Sequence, residues 1–272
     1  MSSILYYPLL RAWRSVLLVL MMAIIGLNGD GFLSNASAAD VGVENHVAFV
    51  DSEKILDETR ATLVPAPKLK RSDYPNIGVS SRAIVWVVAQ MHLFFGALVL
   101  AVPIFVLVIE IIGFKTNDDR YDDMAHEFMK ISLTAYAITA LFGGTLALSL
   151  FLLYPDFMTY MMRVFGSQML VYAVLFFLES MLLYIYYYGW YALRYGNRKW
   201  VHLTLGLLLN AVGTTLLVVA NSWTTFMMAP SGVDSVGAVI GSIWEVMKGP
   251  LWNPLNLHRF IANIAFGGAV VG

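Results

Sequence analysis

The sequence predicts an all-α protein: a polytopic transmembrane helix bundle of four full spans, preceded by an N-terminal signal or anchor helix and followed by a C-terminal partial helix. Three observations carry this. Of 272 residues, 59% are hydrophobic and 13% charged, against about 45–50% and about 25% in an ordinary soluble domain. A chain of this size buries only about 75% of what its unfolded form exposes, so the surplus apolar surface must face lipid or other subunits. The apolar residues also come in long runs separated by short polar hinges, which is the pattern of membrane spans.

In residues 1–38, Arg11 and Arg14 precede an apolar run from Val16 to Leu27, and Ala36-Ser37-Ala38-Ala39 follows. That run is shorter than the roughly 20 residues needed to cross a bilayer core, so the segment reads as an export signal cleaved after Ala38 or as a retained signal anchor. Residues 39–81 are polar and mixed in charge, broken by Pro65, Pro67 and Pro75. They form an extracytoplasmic segment too small for a core of its own. Residues 82–272 hold the bundle, with spans predicted at Ile84 to Ile112, Ile131 to Leu153, Met169 to Leu193 and Val201 to Val219. A last apolar stretch opens at Phe260 and reaches Gly272, too short to cross alone.

Basic residues orient the spans. Lys115, Arg120 and Lys130 follow the first, and Arg194, Arg198 and Lys199 follow the third, whereas the loop after the second carries only Arg163. The first and third loops are therefore cytoplasmic and residues 39–81 lie outside, in what reads as a bacterial cytoplasmic membrane. Trp190 and Tyr184, Tyr186, Tyr187, Tyr188 and Tyr191 then fall at the inner end of the third span, where an aromatic belt is expected. A net charge of −1 gives no basic field for nucleic acid. With no cysteine, disulfides, thiolate metal sites and covalent c-type haem attachment are excluded.

An ionisable side chain inside a span costs about 2.5–3.5 kcal/mol on insertion scales, which makes each one a functional candidate. His92, Glu110 and Glu179 qualify. Counted from the outer ends of their spans, His92 is about 12 Å deep and Glu179 about 15 Å, a common depth. A neutral imidazole suits iron, copper or zinc, and Gly96, one turn along, leaves room for a flat macrocycle. The other reading of the pair is a helix–helix hydrogen bond with close packing at the glycine. Glu179 suits proton movement, a metal or a helix tie. Glu110 reads as an interfacial residue near Lys115, and His126 and His202 as solvated span ends. His258, beside Arg259, is an interfacial anchor or a reserve haem ligand. Two acids and one histidine, with no broken-helix pair, make solute transport the weaker class.

The ordered motifs resemble subunit I of the cytochrome bd quinol oxidases from about Ile84 to Gly272. They are Gln90-Met91-His92-Leu93-Phe94-Phe95, Asp122-Asp123-Met124 with Lys130, Phe165-Gly166, and Phe176-Phe177-Leu178-Glu179-Ser180 with Gly189-Trp190. Ala220-Asn221-Ser222-Trp223, Pro230, Asn253-Pro254 and Arg259-Phe260 complete the series. The resemblance implies that His92 is a haem ligand close to the outer face and that Glu179 serves a proton path. Two positions depart from the family pattern. Leu170-Val171-Tyr172-Ala173 stands where a second glutamate is expected, and Ala262 where a haem b histidine is expected. The family's quinol-binding loop, methionine ligand and remaining haem-ligating acid have no counterpart in these residues. The expectation is a membrane subunit of an oxidoreductase complex rather than a stand-alone quinol oxidase. It would hold at most one haem b, at His92, with His258 and Arg259 as further cofactor-binding candidates and quinone binding left open. Other integral membrane subunits, cytochrome c-type or quinone-linked, and lipid are the expected partners. The alternative is a cofactor-free subunit of the same descent that anchors a catalytic partner.

Overall fold

The computed structural model describes residues 78–272 together with Pro67. The signal or anchor segment, and all of the extracytoplasmic segment but Pro67 and its last residues, lie outside the described residues.

Among the described residues seven helices follow in order: α1 (Ser81–Thr116), α2 (Asp119–Leu153), α3 (Pro155–Tyr188), α4 (Trp190–Leu193), α5 (Arg198–Met228), α6 (Ile243–Met247) and α7 (Trp252–Val271). Helices α1, α2, α3 and α5 are each long and apolar enough to cross a membrane, so the polytopic all-α expectation holds. The helices outrun most of the predicted span ends because polar turns extend them, whereas α3 stops at Tyr188, short of the predicted Leu193, and α4 follows Gly189. Helix α2 begins at Asp119 rather than Ile131, with Asp118 as N-cap accepting from the Arg120 backbone N–H at 3.0 Å, a preferred start because it satisfies an orphan helix donor. Helix α3 begins at Pro155 rather than Met169. Proline at the first helical position has no N–H to leave unsatisfied. Helix α7 starts at Trp252, before the apolar stretch at Phe260.

One end of the bundle carries the α1–α2 turn and the α3–α5 connection, with most of the basic residues; it is the basic end. At the other, the loop end, the segment between α5 and α7 folds down on the helices. There Tyr160, Met161, Val164, Phe165 and Phe226 pack with Val246 and Met247 of α6. Tyr160 Oη donates to Gly237 O at 2.7 Å, and a capping box of Ser242 and Glu245 starts α6.

Small residues set the helix contacts. A Cβ at Gly113 would lie 2.9 Å from Tyr121 Cβ, so the two-residue turn between α1 and α2 needs glycine there. Asn117 in that turn takes the left-handed conformation (φ 52°), which asparagine tolerates better than most residues. A Cβ at Gly267 of α7 would collide with Ala101 of α1, and one at Gly206 of α5 would lie 3.0 Å from Leu107 and Tyr186.

Candidate functional site

His92 lies on the α1 face turned to α2. Its Nδ1 is 2.9 Å from the carbonyl of Thr139. A carbonyl only accepts, so Nδ1 carries the proton and Nε2 presents a lone pair, the tautomer in which a histidine is oriented for metal ligation. The ring packs against Gly143, where a Cβ would be 2.9 Å from Cε1. The sequence does not single out Gly143. Gly96 behaves differently from the macrocycle reading, since it faces Thr139, with Cγ2 at 3.7 Å from where its Cβ would be, and serves close packing of α1 on α2.

Glu179 sits on another seam, among α1, α3 and α5. It is 4% exposed, and its Oε1 would lie 2.7 Å from a Cβ on Gly213, with Leu100 alongside. Among the described residues its carboxyl has no hydrogen bond or ion pair. Leu100 is two turns from His92, so Glu179 lies about 12 Å further along α1 rather than level with it. One turn of α5 towards the basic end, Asn210 donates to Pro103 O at 3.1 Å and to Gly206 O at 2.9 Å, and its buried Oδ1 has no partner. Near the loop end, His258 is exposed, whereas Arg259 turns in and donates to Asn221 Oδ1.

The densest chemistry is at the basic end, and the sequence reading misassigns it. Glu110 is 0% exposed and does not pair with Lys115. Its carboxylate accepts from Tyr186 Oη, contacts His202 Nδ1 and holds Lys199 Nζ at 2.7 Å. The same Lys199 ammonium binds Asp122 of α2. Asp122 also takes Arg194 Nε at 2.7 Å and the Trp190 indole N–H at 3.0 Å, and Arg194 reaches Asp123 at 2.7 Å. Partial burial opposes the Arg194 charge, but Asp122 and Asp123 outweigh it and hold the guanidinium above its ordinary range. His202 and His126 are buried, not solvated. His202 Nε2 is 2.9 Å from the Tyr186 carbonyl, which needs a proton on Nε2. With its Nδ1 against Glu110 as well, the imidazole is clamped between α1 and α3. The available signal was a histidine three residues after a lysine, hence on one helix face, at the end of the bundle where an acid closes α1.

A family model described as cytochrome bd terminal oxidase subunit I matches residues 80–272. The chain belongs to this family. A curated relative from Bacillus subtilis (strain 168), named for a cytochrome bd menaquinol oxidase subunit I, is 30% identical over 111 residues, or 41% of this chain and 25% of the relative. Among solved structures, the bd oxidase from Geobacillus thermodenitrificans matches with TM-score 0.62 at 22% identity, covering 68% of this chain and 42% of that one. The chain thus spans a quarter of the one relative and less than half of the other. It is a cytochrome bd-like membrane protein with several spans.

Proposed function

We propose that this cytochrome bd-like chain is a subunit of a larger electron-transfer complex and carries a single b-type haem at His92. The observation that supports this most is the Nδ1 bond from His92 to Thr139 O, which fixes the ring and leaves Nε2 free. Haem fits the donor set. Among the described residues no three His, Asp or Glu side chains gather as a bare-ion site, whereas haem iron needs only axial ligands from the protein. When bound, haem would supply one-electron chemistry. The chain's own part is to hold the imidazole with α2, and to keep Glu179 in an apolar seam where its carboxyl takes up and releases a proton. The basic end lies inside and the loop end outside, in keeping with the loop charges and an exported segment before α1. Electrons come from or go to membrane-embedded, quinone-linked or cytochrome c-type partners.

The same hydrogen bond also ties α1 to α2 without any cofactor. That favours, as a second reading, a haem-free subunit anchoring a catalytic partner. Haem staining and an optical spectrum of the purified chain decide between them. The haem reading expects a Soret band that His92→Ala abolishes and Glu179→Gln keeps. No band in the wild type, or an unchanged band in folded His92→Ala, overturns it.

A further inference from the structure

At the basic end, buried cations meet acids: Lys199 has Glu110 and Asp122, and Arg194 has Asp122 and Asp123. Arg259 of α7 is the contrast. It is half-buried and donates through Nη1 to Asn221 Oδ1, yet among the described residues it has no carboxylate partner. Asn221, fully buried, is fixed in turn by donating Nδ2 to Asn256 Oδ1 at 2.6 Å. That leaves the Asn256 amide N–H groups without a partner among the described residues. Asn256 and Arg259 are three residues apart and so neighbours on one face of α7. On α3, the Tyr172 hydroxyl makes no hydrogen bond among the described residues. The nearest acid along that face, Glu179, lies two turns further into α3 and faces Gly213.

Through Asn221, the Arg259 guanidinium and the Asn256 amide are brought together around a positive charge that no carboxylate among the described residues compensates. An unpaired guanidinium drawn into an apolar seam is expensive, and its planar fork matches the oxygens of a phosphate or carboxylate. Counted from Trp252 along α7, and from Met228 back along α5, Arg259 and Asn221 both lie about 10 Å from the loop end, within reach of the interfacial layer of a bilayer. Leu257, Phe260 and Ile261 are exposed around Arg259 on α7 and offer an apolar track beside it.

We propose that Arg259 and Asn256, braced by Asn221, bind the oxyanion of an amphiphile at the loop end of the α5–α7 seam. The phosphate of an anionic phospholipid and the carboxylate of a bound haem share the required chemistry. The site does not depend on His92 ligating iron, because a lipid can fill it in a haem-free chain.

The test uses the full chain in nanodiscs of phosphatidylcholine containing phosphatidylglycerol, with native mass spectrometry for retained lipid and a pyridine haemochrome assay for haem. The lipid source predicts that wild type retains phosphatidylglycerol over phosphatidylcholine and that Arg259→Gln reduces this preference about tenfold, with haem unchanged. Arg163→Gln, at an exposed arginine of α3, should leave it intact. The haem source predicts instead that Arg259→Gln lowers haem content with lipid preference unchanged. Asn256→Leu removes one donor but keeps the charge, and should weaken whichever ligand is bound by a smaller factor, so the site stays testable if Arg259→Gln does not fold. Folded variants with wild-type lipid preference and wild-type haem content overturn the proposal.

Discussion

Lys199 of α5 places its ammonium 2.7 Å from Glu110 of α1 while also binding Asp122 of α2, so one side chain joins three helices at the basic end. Removing it leaves Asp122 to Arg194 and Glu110 to His202, with no cation bridging the two buried carboxylates. Lys199→Met should cost about 3–5 kcal/mol, as breaking a buried pair usually does. Glu110→Gln should cost less in a Lys199→Met background than in wild type, because the two changes share one interaction. Reversible unfolding in mixed detergent, followed by tryptophan fluorescence, measures both; strictly additive losses would count against the network.

Gly143→Ala puts a methyl group 2.9 Å from His92 Cε1 and 3.2 Å from Nδ1. The ring must turn away and lose its bond to Thr139 O. If His92 holds haem, haem content should fall and the Soret band should shift. A spectrum identical to wild type would show that His92 is not the ligand.

At the neighbouring seam, Gly213→Ala drives a Cβ to within 2.7 Å of Glu179 Oε1. The expected loss is about 1–3 kcal/mol, typical of overpacking. Glu179→Ala should relieve part of it, which a double-mutant cycle on the same unfolding assay would detect.

Tyr160→Phe deletes the hydroxyl that donates to Gly237 O at 2.7 Å. The global effect should be about 1 kcal/mol. The local effect should be larger: faster proteolytic cleavage between Val233 and Val239, where the loop is otherwise pinned to α3.

Asp118 lies in the turn between α1 and α2. Hydrogen bonds from the Arg120 side chain and backbone hold its carboxyl below the ordinary 3.8. A lowered native value means that the stabilisation is present above the unfolded value and is lost as pH falls through the native one. The difference in Tm between wild type and Asp118→Asn should therefore be constant near neutrality and vanish in acid below 3.8.

The spans were legible in the sequence because lipid tolerates almost nothing but a long apolar helix. Their ends were less so, since polar turns such as Asp119 to Lys130 continue a helix once a cap and tertiary partners support it. Asp122 and Trp190 were recognised as marks of a family, but their hydrogen bond to each other is a tertiary fact. Glu110 was misjudged for a related reason. A lysine five residues away on the same helix looked like its partner, whereas the true one, Lys199, comes from α5. Local spacing reports neighbours on one helix; it carries no direct record of which helices meet.

The turn at Asn117 and Asp118 has a consequence for biogenesis. Helices of 36 and 35 residues joined by two residues leave no room for one to cross while the other waits at the surface. The pair should enter the membrane together, as a hairpin delivered in one step by the insertion machinery. A substitution that stiffens or lengthens this turn would then show itself first in the yield of inserted chain, before any effect on chemistry.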